Sequence, residues 1–156
     1  MTTQTRNDDA QTPRAGEFRL EVVVLPVTDV DRAKRFYGGL GWREDIDFRA
    51  GEDFRGVQMT PPGSSCSIHF GKGVTTAAPG STRNLYLVVF DIEAARAELV
   101  GRGVDVSETF HFDGARKRMP GPDPEGRPYG TLATFSDPDG NTWLVQEIKT
   151  RAPGRV

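Results

Sequence analysis

The chain has 156 residues, with 20 Lys and Arg against 22 Asp and Glu, a formal net charge of −2 at pH 7. This length predicts one compact domain or two fused half-size modules, and the missing basic excess argues against a nucleic-acid-binding protein. The longest apolar stretch, Leu20 to Val27, is too short to span a bilayer, so we expect no membrane partner. Cys66 is the only cysteine, which excludes an intrachain disulfide, and without a neighbouring base in sequence it is a poor candidate nucleophile.

Residues 1–17 are polar and have neither helical nor strand periodicity, so we expect a disordered tail. The segment lacks the apolar core of a secretory signal, and we therefore expect a cytoplasmic protein. From Phe18 onward β-branched and aromatic residues become frequent, and we place a single domain over residues 18–150.

The domain contains an internal repeat. The run from Val22 to Ala33 matches in kind the run from Asn84 to Ala95, which lies 62 residues further along the chain. Each run predicts an apolar strand followed by a short helix that begins at an aspartate, Asp29 or Asp91.

Both helices are expected to pack one apolar stripe against a sheet. In the first helix, Thr28 and Asp31 fit a capping box, and a left-handed residue at Gly38 or Gly39 should end the helix. The predicted core stripes are Val30, Ala33, Phe36 or Tyr37 and Leu40 in the first helix, and Ile92, Ala95, Leu99 and Val100 in the second.

Three more strands are predicted after each helix. They cover Trp42 to Phe48, Gly56 to Thr60 and Ser65 to Gly71 in the first half, and Val104 to Phe110, Thr131 to Ser136 and Thr142 to Ile148 in the second. The result is an α+β domain of two tandem βαβββ modules, residues 18–73 and 83–149. The second module carries an insertion, residues 111–130, whose prolines and glycines should exclude regular structure.

Paired βαβββ modules with Asp-Pro-Asp-Gly-Asn before the last strand resemble the vicinal oxygen chelate superfamily, which includes glyoxalase I, extradiol dioxygenases and bleomycin-resistance proteins. The residues that carry the resemblance are Val27–Val30, Phe36–Tyr37, Gly39–Trp42, Val89–Ile92, Gly101–Val104 and Phe135–Trp143. The resemblance implies the glyoxalase/bleomycin-resistance fold, a concave mixed sheet with a ligand cleft between the modules. It also implies a homodimer, because such proteins often pair two chains.

Metal-using members of that superfamily place ligands on the first and last strands of the modules. The corresponding positions are Val22, Asn84 and Leu144, with a fourth near Ile68. Aliphatic side chains have no donor atom, and one amide oxygen is a weak ligand for a divalent ion. We therefore expect neither a metal nor another cofactor.

Three other side chains offer metal or acid–base chemistry, namely His69, His111 and Glu147. Strand alternation places Glu147 on the opposite face from Leu144 and Gln146, which favours a structural carboxylate at an inter-module or dimer contact. For His69 we expect an ordinary strand histidine, with a ligand or general-base role as the alternative.

A cleft without a metal recognises its ligand by shape, stacking and a few hydrogen bonds. The predicted lining residues are Val22, Val24, Asn84, Tyr86, Val88, Leu144 and Gln146. The insertion adds Phe112 and Arg116, and it is either a lid that favours an anionic or aromatic ligand or a solvated loop. His111 and Tyr129 in the insertion are the candidate catalytic residues.

Two functions fit these residues. The first is a binding protein of the bleomycin-resistance type that captures an apolar or aromatic small molecule without a metal. The second is an enzyme of the same superfamily, a lyase, isomerase or dioxygenase. Such an enzyme would use an unusual metal set of His69, His111 and Glu147, or no metal and a proton transfer by His111 or Tyr129.

Overall fold

The computed structural model describes residues 12–155, in which two helices and nine strands form two sheets. The elements are β1 (Val22–Val24), α1 (Val30–Gly39), β2 (Arg43–Ala50), β3 (Phe54–Thr60), β4 (Ser67–Lys72), β5 (Leu85–Val89), α2 (Ile92–Gly101), β6 (Phe110–Phe112), β7 (Arg118–Pro120), β8 (Leu132–Ser136) and β9 (Thr142–Glu147). Most of the tail predicted over residues 1–17 lies outside the described residues, and residues 12–17 contain no helix or strand. No helix in the described part of the chain has the length and apolar character needed to cross a bilayer.

Each half of the chain forms its own sheet. The first sheet has the order β1-β4-β3-β2, with β1 parallel to β4 and the other neighbours antiparallel. The second has the order β5-β9-β8-β6-β7, with β5 parallel to β9. The predicted α+β fold of two modules is confirmed, because each sheet repeats a parallel pair between the first and last strands of the module.

Both helices begin at the predicted aspartates. The Asp29 side chain accepts a hydrogen bond from the backbone N–H of Arg32 at 3.0 Å, and that of Asp91 accepts from Ala94 at 3.1 Å. The predicted capping box is wrong, since the Thr28 hydroxyl instead donates to Asp139 at 2.6 Å. Thr28 therefore connects the first helix to the second module.

The end of α1 and one predicted core position of α2 differ from the predictions. Helix α1 continues through Gly39, and the left-handed residue is Gly41, with φ 84°. In α2 the predicted burial of Val100 is wrong, because its side chain is 57% exposed. Ile92 and Leu99 lie on the stripe that contacts the core, and Val100 falls beside that stripe.

Two predictions for the second module are also wrong, the strand from Val104 to Phe110 and the absence of regular structure from the insertion. Of the segment from Val104 to Phe110, only its last residue belongs to a strand, although the side chains of Val104 and Val106 are buried and the Ser107 N–H donates to the Thr134 carbonyl of β8 at 2.9 Å. The insertion does contain regular structure, because β7 pairs with β6 as the outer strand of the sheet. Pro120 is tolerated there, since an edge strand does not need every backbone donor.

One hydrophobic core joins the two modules. The centroid of the Tyr37 ring lies 5.0 Å from that of the Trp42 ring, and the Trp42 centroid lies 5.2 Å from that of Trp143 in the other module. The helix-covered sides of both sheets contribute to this core, which also includes Leu25, Ala33, Val57, Ile68, Phe70, Ile92, Phe135 and Val145. Because both helices of the described chain pack on that side, the opposite side of each sheet carries neither of them.

Arg55 on β3 connects the first sheet to α1. Its guanidinium donates to Asp47 at 3.0 and 2.9 Å and to Asp31 at 2.8 Å. Hydrogen bonds from Arg55 lower the pKa of both carboxyl groups, and Lys34 lowers that of Asp47 further.

We expect Arg55→Met to reduce the free energy of unfolding by about 1 kcal/mol at neutral pH. Because the folded-state pKa values of Asp31 and Asp47 are depressed, the stabilisation is present above the unfolded-state pKa of about 4 and is lost as the pH falls through the folded-state values. Urea unfolding should therefore separate wild type and variant fully at about pH 7 and by part of that difference at about pH 3, which lies below the unfolded-state pKa but not below the depressed folded-state pKa of Asp47. A difference of the same size at both pH values would contradict the prediction, and Arg151→Met at an exposed position is the control.

Candidate functional site

Each sheet has one side without a helix, and we call these sides the first and second open faces. The strand register places Val22, Val24, Ile46, Phe48, Gln58 and His69 on the first open face. It places Tyr86, Val88, Phe110, Phe112, Arg118, Leu132, Leu144 and Gln146 on the second open face. The predicted lining residues are thus divided, with Val22 and Val24 on the first face and the others on or beside the second.

The first open face surrounds a histidine with exposed apolar side chains. Val24 is 41% and Phe48 is 56% exposed. His69 pairs with Val24 on one side and with Gln58 on the other. Gly56 makes room for the imidazole, because a Cβ atom at that position would lie 2.8 Å from His69 Nε2.

The second open face brings together four of the predicted lining residues. Tyr86 pairs with Leu144, and Val88 pairs with Gln146, so their side chains are neighbours on one face. Tyr86 is 61% exposed. The Gln146 amide Nε2 donates to the Tyr129 carbonyl at 2.9 Å, which leaves its Oε1 atom to accept from a ligand.

Asn84 lies at the border of the second open face, immediately before β5. Its backbone has φ 58°, and its backbone N–H donates to Thr142 Oγ1 at 2.8 Å. The residue is exposed rather than buried. Asn84 is therefore positioned by its backbone, with the amide side chain at the surface.

The insertion extends the second open face with a hairpin of β6 and β7. The Arg118 guanidinium lies 3.7 Å from the centroid of the Phe110 ring, and that of Arg116 lies 4.7 Å from the Phe112 ring. Phe112 and Arg116 were predicted to contribute to the site, whereas Phe110 was not. The alternation of Phe110 with Phe112 along the chain is the sequence signal that indicates a shared face.

His111 lies on the opposite side of the hairpin from the two phenylalanines. It is 9% exposed, and its Nδ1 atom is 2.8 Å from the Gly121 carbonyl oxygen. Tyr129 has a left-handed backbone, φ 66°, and its hydroxyl accepts a hydrogen bond from the Ala152 backbone N–H at 3.1 Å. The structure brings neither side chain together with Tyr86 and Leu144, and their catalytic role stays a prediction.

The superfamily's metal positions do not bring a suitable donor set together. Ile68 is buried in the core, and the residue that matches Leu144 in register is its neighbour His69. The four positions are therefore Val22, Asn84, His69 and Leu144, and one imidazole with one amide does not fit a divalent ion. Within residues 12–155 no three His, Cys, Asp or Glu side chains come together as a metal site.

Glu147 has a structural contact within its own module. Its Oε2 atom accepts a hydrogen bond from the Ile92 backbone N–H at 2.9 Å, at the first turn of α2. The structural role expected for Glu147 is therefore observed within one module rather than between the modules, and the alternative of a dimer contact stays a prediction. A carboxylate at the beginning of a helix stabilises the exposed backbone donors and the positive end of the helix dipole.

Cys66 directly precedes β4. Burial, together with the negative charge of Glu21, raises the pKa of the Cys66 thiol. The neutral thiol is therefore favoured, which makes this side chain a weak nucleophile.

Comparisons with known proteins agree with this architecture. The sequence pattern of the Glyoxalase/Bleomycin resistance protein/Dioxygenase superfamily matches residues 19–145. None of the curated proteins matches the chain.

Several solved structures share the fold. TnmS3, an antibiotic binding protein from Streptomyces sp. CB03234, is 31% identical with a TM-score of 0.66, over 85% of this chain and 98% of its own. A glyoxalase/bleomycin resistance protein from the same organism is 32% identical with a TM-score of 0.62, over 83% of this chain and 100% of its own. A superfamily member from Sphaerobacter thermophilus DSM 20745, 24% identical with a TM-score of 0.63 over 84% of this chain and 98% of its own, shows the fold alone.

Proposed function

The chain belongs to the glyoxalase/bleomycin resistance protein/dioxygenase superfamily, and we propose that it is a binding protein that captures an apolar or aromatic small molecule without a metal. The observation that carries the proposal is the second open face. Exposed Tyr86 lies there beside aliphatic Val88 and Leu144, with the Gln146 amide as an orienting group. Apolar walls with a few polar groups are typical of small-molecule sites, and the similarity to an antibiotic binding protein supports this class of ligand.

We further propose that the complete site forms between two copies of the chain. Within one chain the shared core joins the helix-covered sides of the sheets, so the two open faces are separate surfaces. Both expose large apolar side chains, including Phe48 at 56% and Tyr86 at 61%. Pairing the first open face of one copy with the second open face of another buries these side chains and places Val22 and Val24 opposite Tyr86. Light scattering coupled to size exclusion should give twice the 17.1 kDa chain mass, and a monomer would contradict this pairing.

One observation favours the enzyme alternative. Of the two histidines in the chain, His69 reaches an open face, where an imidazole is able to exchange a proton with a bound ligand. A lyase or isomerase of this kind should show substrate turnover that His69→Ala abolishes. Retained ligand binding without any turnover would favour the binding protein.

The binding proposal predicts an effect of Tyr86 on aromatic probes. Tyr86→Ala should weaken the binding of N-phenyl-1-naphthylamine about tenfold, because loss of one ring contact costs about 1 kcal/mol or slightly more. Fluorescence titration measures the Kd. Phe18→Ala removes an aromatic side chain that is fully exposed outside both open faces, and it should leave the Kd unchanged. An unchanged Kd for Tyr86→Ala as well would refute the assignment of this face as the binding site.

A further inference from the structure

Two arginines of the β6–β7 hairpin lie on aromatic rings of the second open face. Arg118 is 3.7 Å from the Phe110 centroid and Arg116 is 4.7 Å from the Phe112 centroid. The two rings contact each other edge to face, with centroids 5.8 Å apart. The hairpin therefore presents two cations on one continuous aromatic surface.

Within residues 12–155 the guanidinium groups of these arginines donate no hydrogen bond, which leaves their donors available to a ligand. A guanidinium that stacks on a ring uses its flat face, and its N–H groups point outward in the plane. No ion pair involves Arg116 or Arg118 within the described residues. Asp113, an acidic side chain of the same hairpin, instead accepts the backbone N–H groups of Ala115 and Lys117 at 2.9 Å.

Asp123 is engaged as well. It accepts two side-chain hydrogen bonds from Arg127, at 2.9 and 3.0 Å, and these lower the pKa of its carboxyl group. Arg127 therefore neutralises the buried Asp123 carboxylate within the insertion. Arg116 and Arg118 have no counter-charge in the described part of the chain.

Backbone strain is concentrated around the same face. In residues 12–155 the non-glycine residues with positive φ are Asn84, Arg116 and Tyr129. Asn84 borders β5, Tyr129 accepts the Gln146 hydrogen bond, and Arg116 holds φ 64° in the hairpin turn. Left-handed backbone is unfavourable for residues with a Cβ atom and tends to be retained at ligand sites.

We propose that Arg116 and Arg118 bind the acidic group of the ligand, so that the site takes an aromatic compound carrying a carboxylate, phenolate or sulfonate. The inference rests on the proposed binding function and adds the charge of the ligand to it. A planar guanidinium forms two parallel hydrogen bonds to such an oxyanion, and the apolar rings beneath it exclude water and strengthen the attraction. The register places Leu132 beside Phe110 and Gln146 beyond Leu132, so the aromatic part of the ligand then lies over Leu132 towards Gln146.

A pair of fluorescent probes that differ only in charge tests the proposal. 8-Anilinonaphthalene-1-sulfonate carries a sulfonate, and N-phenyl-1-naphthylamine is the same ring system without it. Wild-type protein should bind the sulfonate about tenfold more tightly. Arg118→Met keeps an unbranched apolar stem over Phe110 and removes the charge, and it should abolish that preference while leaving the Kd of the neutral probe within about twofold.

Lys117→Met is the matched control, because it removes the same charge from the same hairpin at a side chain that contacts neither ring. It should leave the preference for the sulfonate intact. Arg118→Met with wild-type Kd values for both probes overturns the charge assignment and leaves the proposed binding function standing. Failure of wild-type protein to bind either probe overturns the binding function and this inference together. If Arg118→Met does not fold, the same comparison with Arg116→Met, in the exposed turn, decides between these outcomes.

Discussion

Gly80→Ala is expected to lower the free energy of unfolding by about 4 kcal/mol. Gly80 is buried and has φ 74°, and a Cβ atom there would lie 2.0 Å from the Asp139 carbonyl oxygen. Neither backbone moves easily, because the Gly80 N–H donates to the Pro26 carbonyl at 2.9 Å and the Asp139 side chain accepts from Thr28. The alanine must therefore separate the segment between the modules from the turn that it packs against.

Gly63→Ala is the matched control for Gly80→Ala. Gly63 has a similar φ of 81°, but a Cβ atom at that position meets nothing within 4 Å. Its substitution should cost only the backbone strain of a left-handed residue, about 1 kcal/mol. Urea unfolding followed by circular dichroism measures both variants. Equal losses of stability would show that the contact with Asp139 contributes nothing.

Asp137→Ala is expected to have the next largest effect, a loss of about 3 kcal/mol. The buried carboxylate accepts hydrogen bonds from the Tyr37 hydroxyl at 2.8 Å, from the Asn141 amide at 2.8 Å and from two backbone N–H groups of its own turn. Burial and the negative charge of Asp137 raise the pKa of Tyr37, so its hydroxyl stays protonated as a donor. Alanine leaves these buried donors without an acceptor.

The loss at Asp137 should lower Tm by about 9 °C, given about 3 °C for each kcal/mol in a domain of this size. Tyr37→Phe removes one donor from the same carboxylate and should cost less, about 1–2 kcal/mol, by leaving the Trp143 indole N–H without its partner. Asp105→Ala, at an exposed aspartate, is the control. A Tm of Asp137→Ala within about 2 °C of wild type would contradict the role of this network in joining the modules.

The network around Asp137 also explains why the Asp-Pro-Asp-Gly-Asn turn is informative. Within the turn itself, Gly140 has a left-handed backbone, and its N–H donates to the Asp137 carbonyl. These two features involve only residues of the turn. In the folded chain Asp139 also binds Thr28 and Arg32, and Asn141 Nδ2 donates to the Pro26 carbonyl. The same residues thus form a turn in one module and contacts to the other.

Part of the candidate site was predictable from strand alternation. The expectation that Leu144 and Gln146 share a face opposite Trp143 and Val145 is confirmed by the register and by the burial of the latter two. The sequence assigned the last-strand position of the first module to the vicinity of Ile68, whereas the strand register assigns it to His69. A sequence offset does not reveal which of two neighbouring residues enters the core. Burial of Ile68 moves His69 onto the open face and changes the chemistry available there.

The insertion shows the limit of composition as a guide. Its prolines and glycines predict irregular structure, yet β6 and β7 form a hairpin whose edge position tolerates Pro120. Which face of that hairpin His111 occupies depends on pairing with β8, a contact between residues about twenty positions apart in sequence. No local pattern specifies that pairing.

The amino-acid sequence alone determined the two-module repeat, the helix starts at Asp29 and Asp91, and the aliphatic residues at Val22 and Leu144, because these depend on local periodicity, capping and residue type. The tertiary structure decided which sides of the two sheets share a core, that His111 lies away from Tyr86, and that Arg118 covers Phe110. These features depend on long-range packing and strand register, where the free energy of burying Tyr37, Trp42 and Trp143 together outweighs local preference.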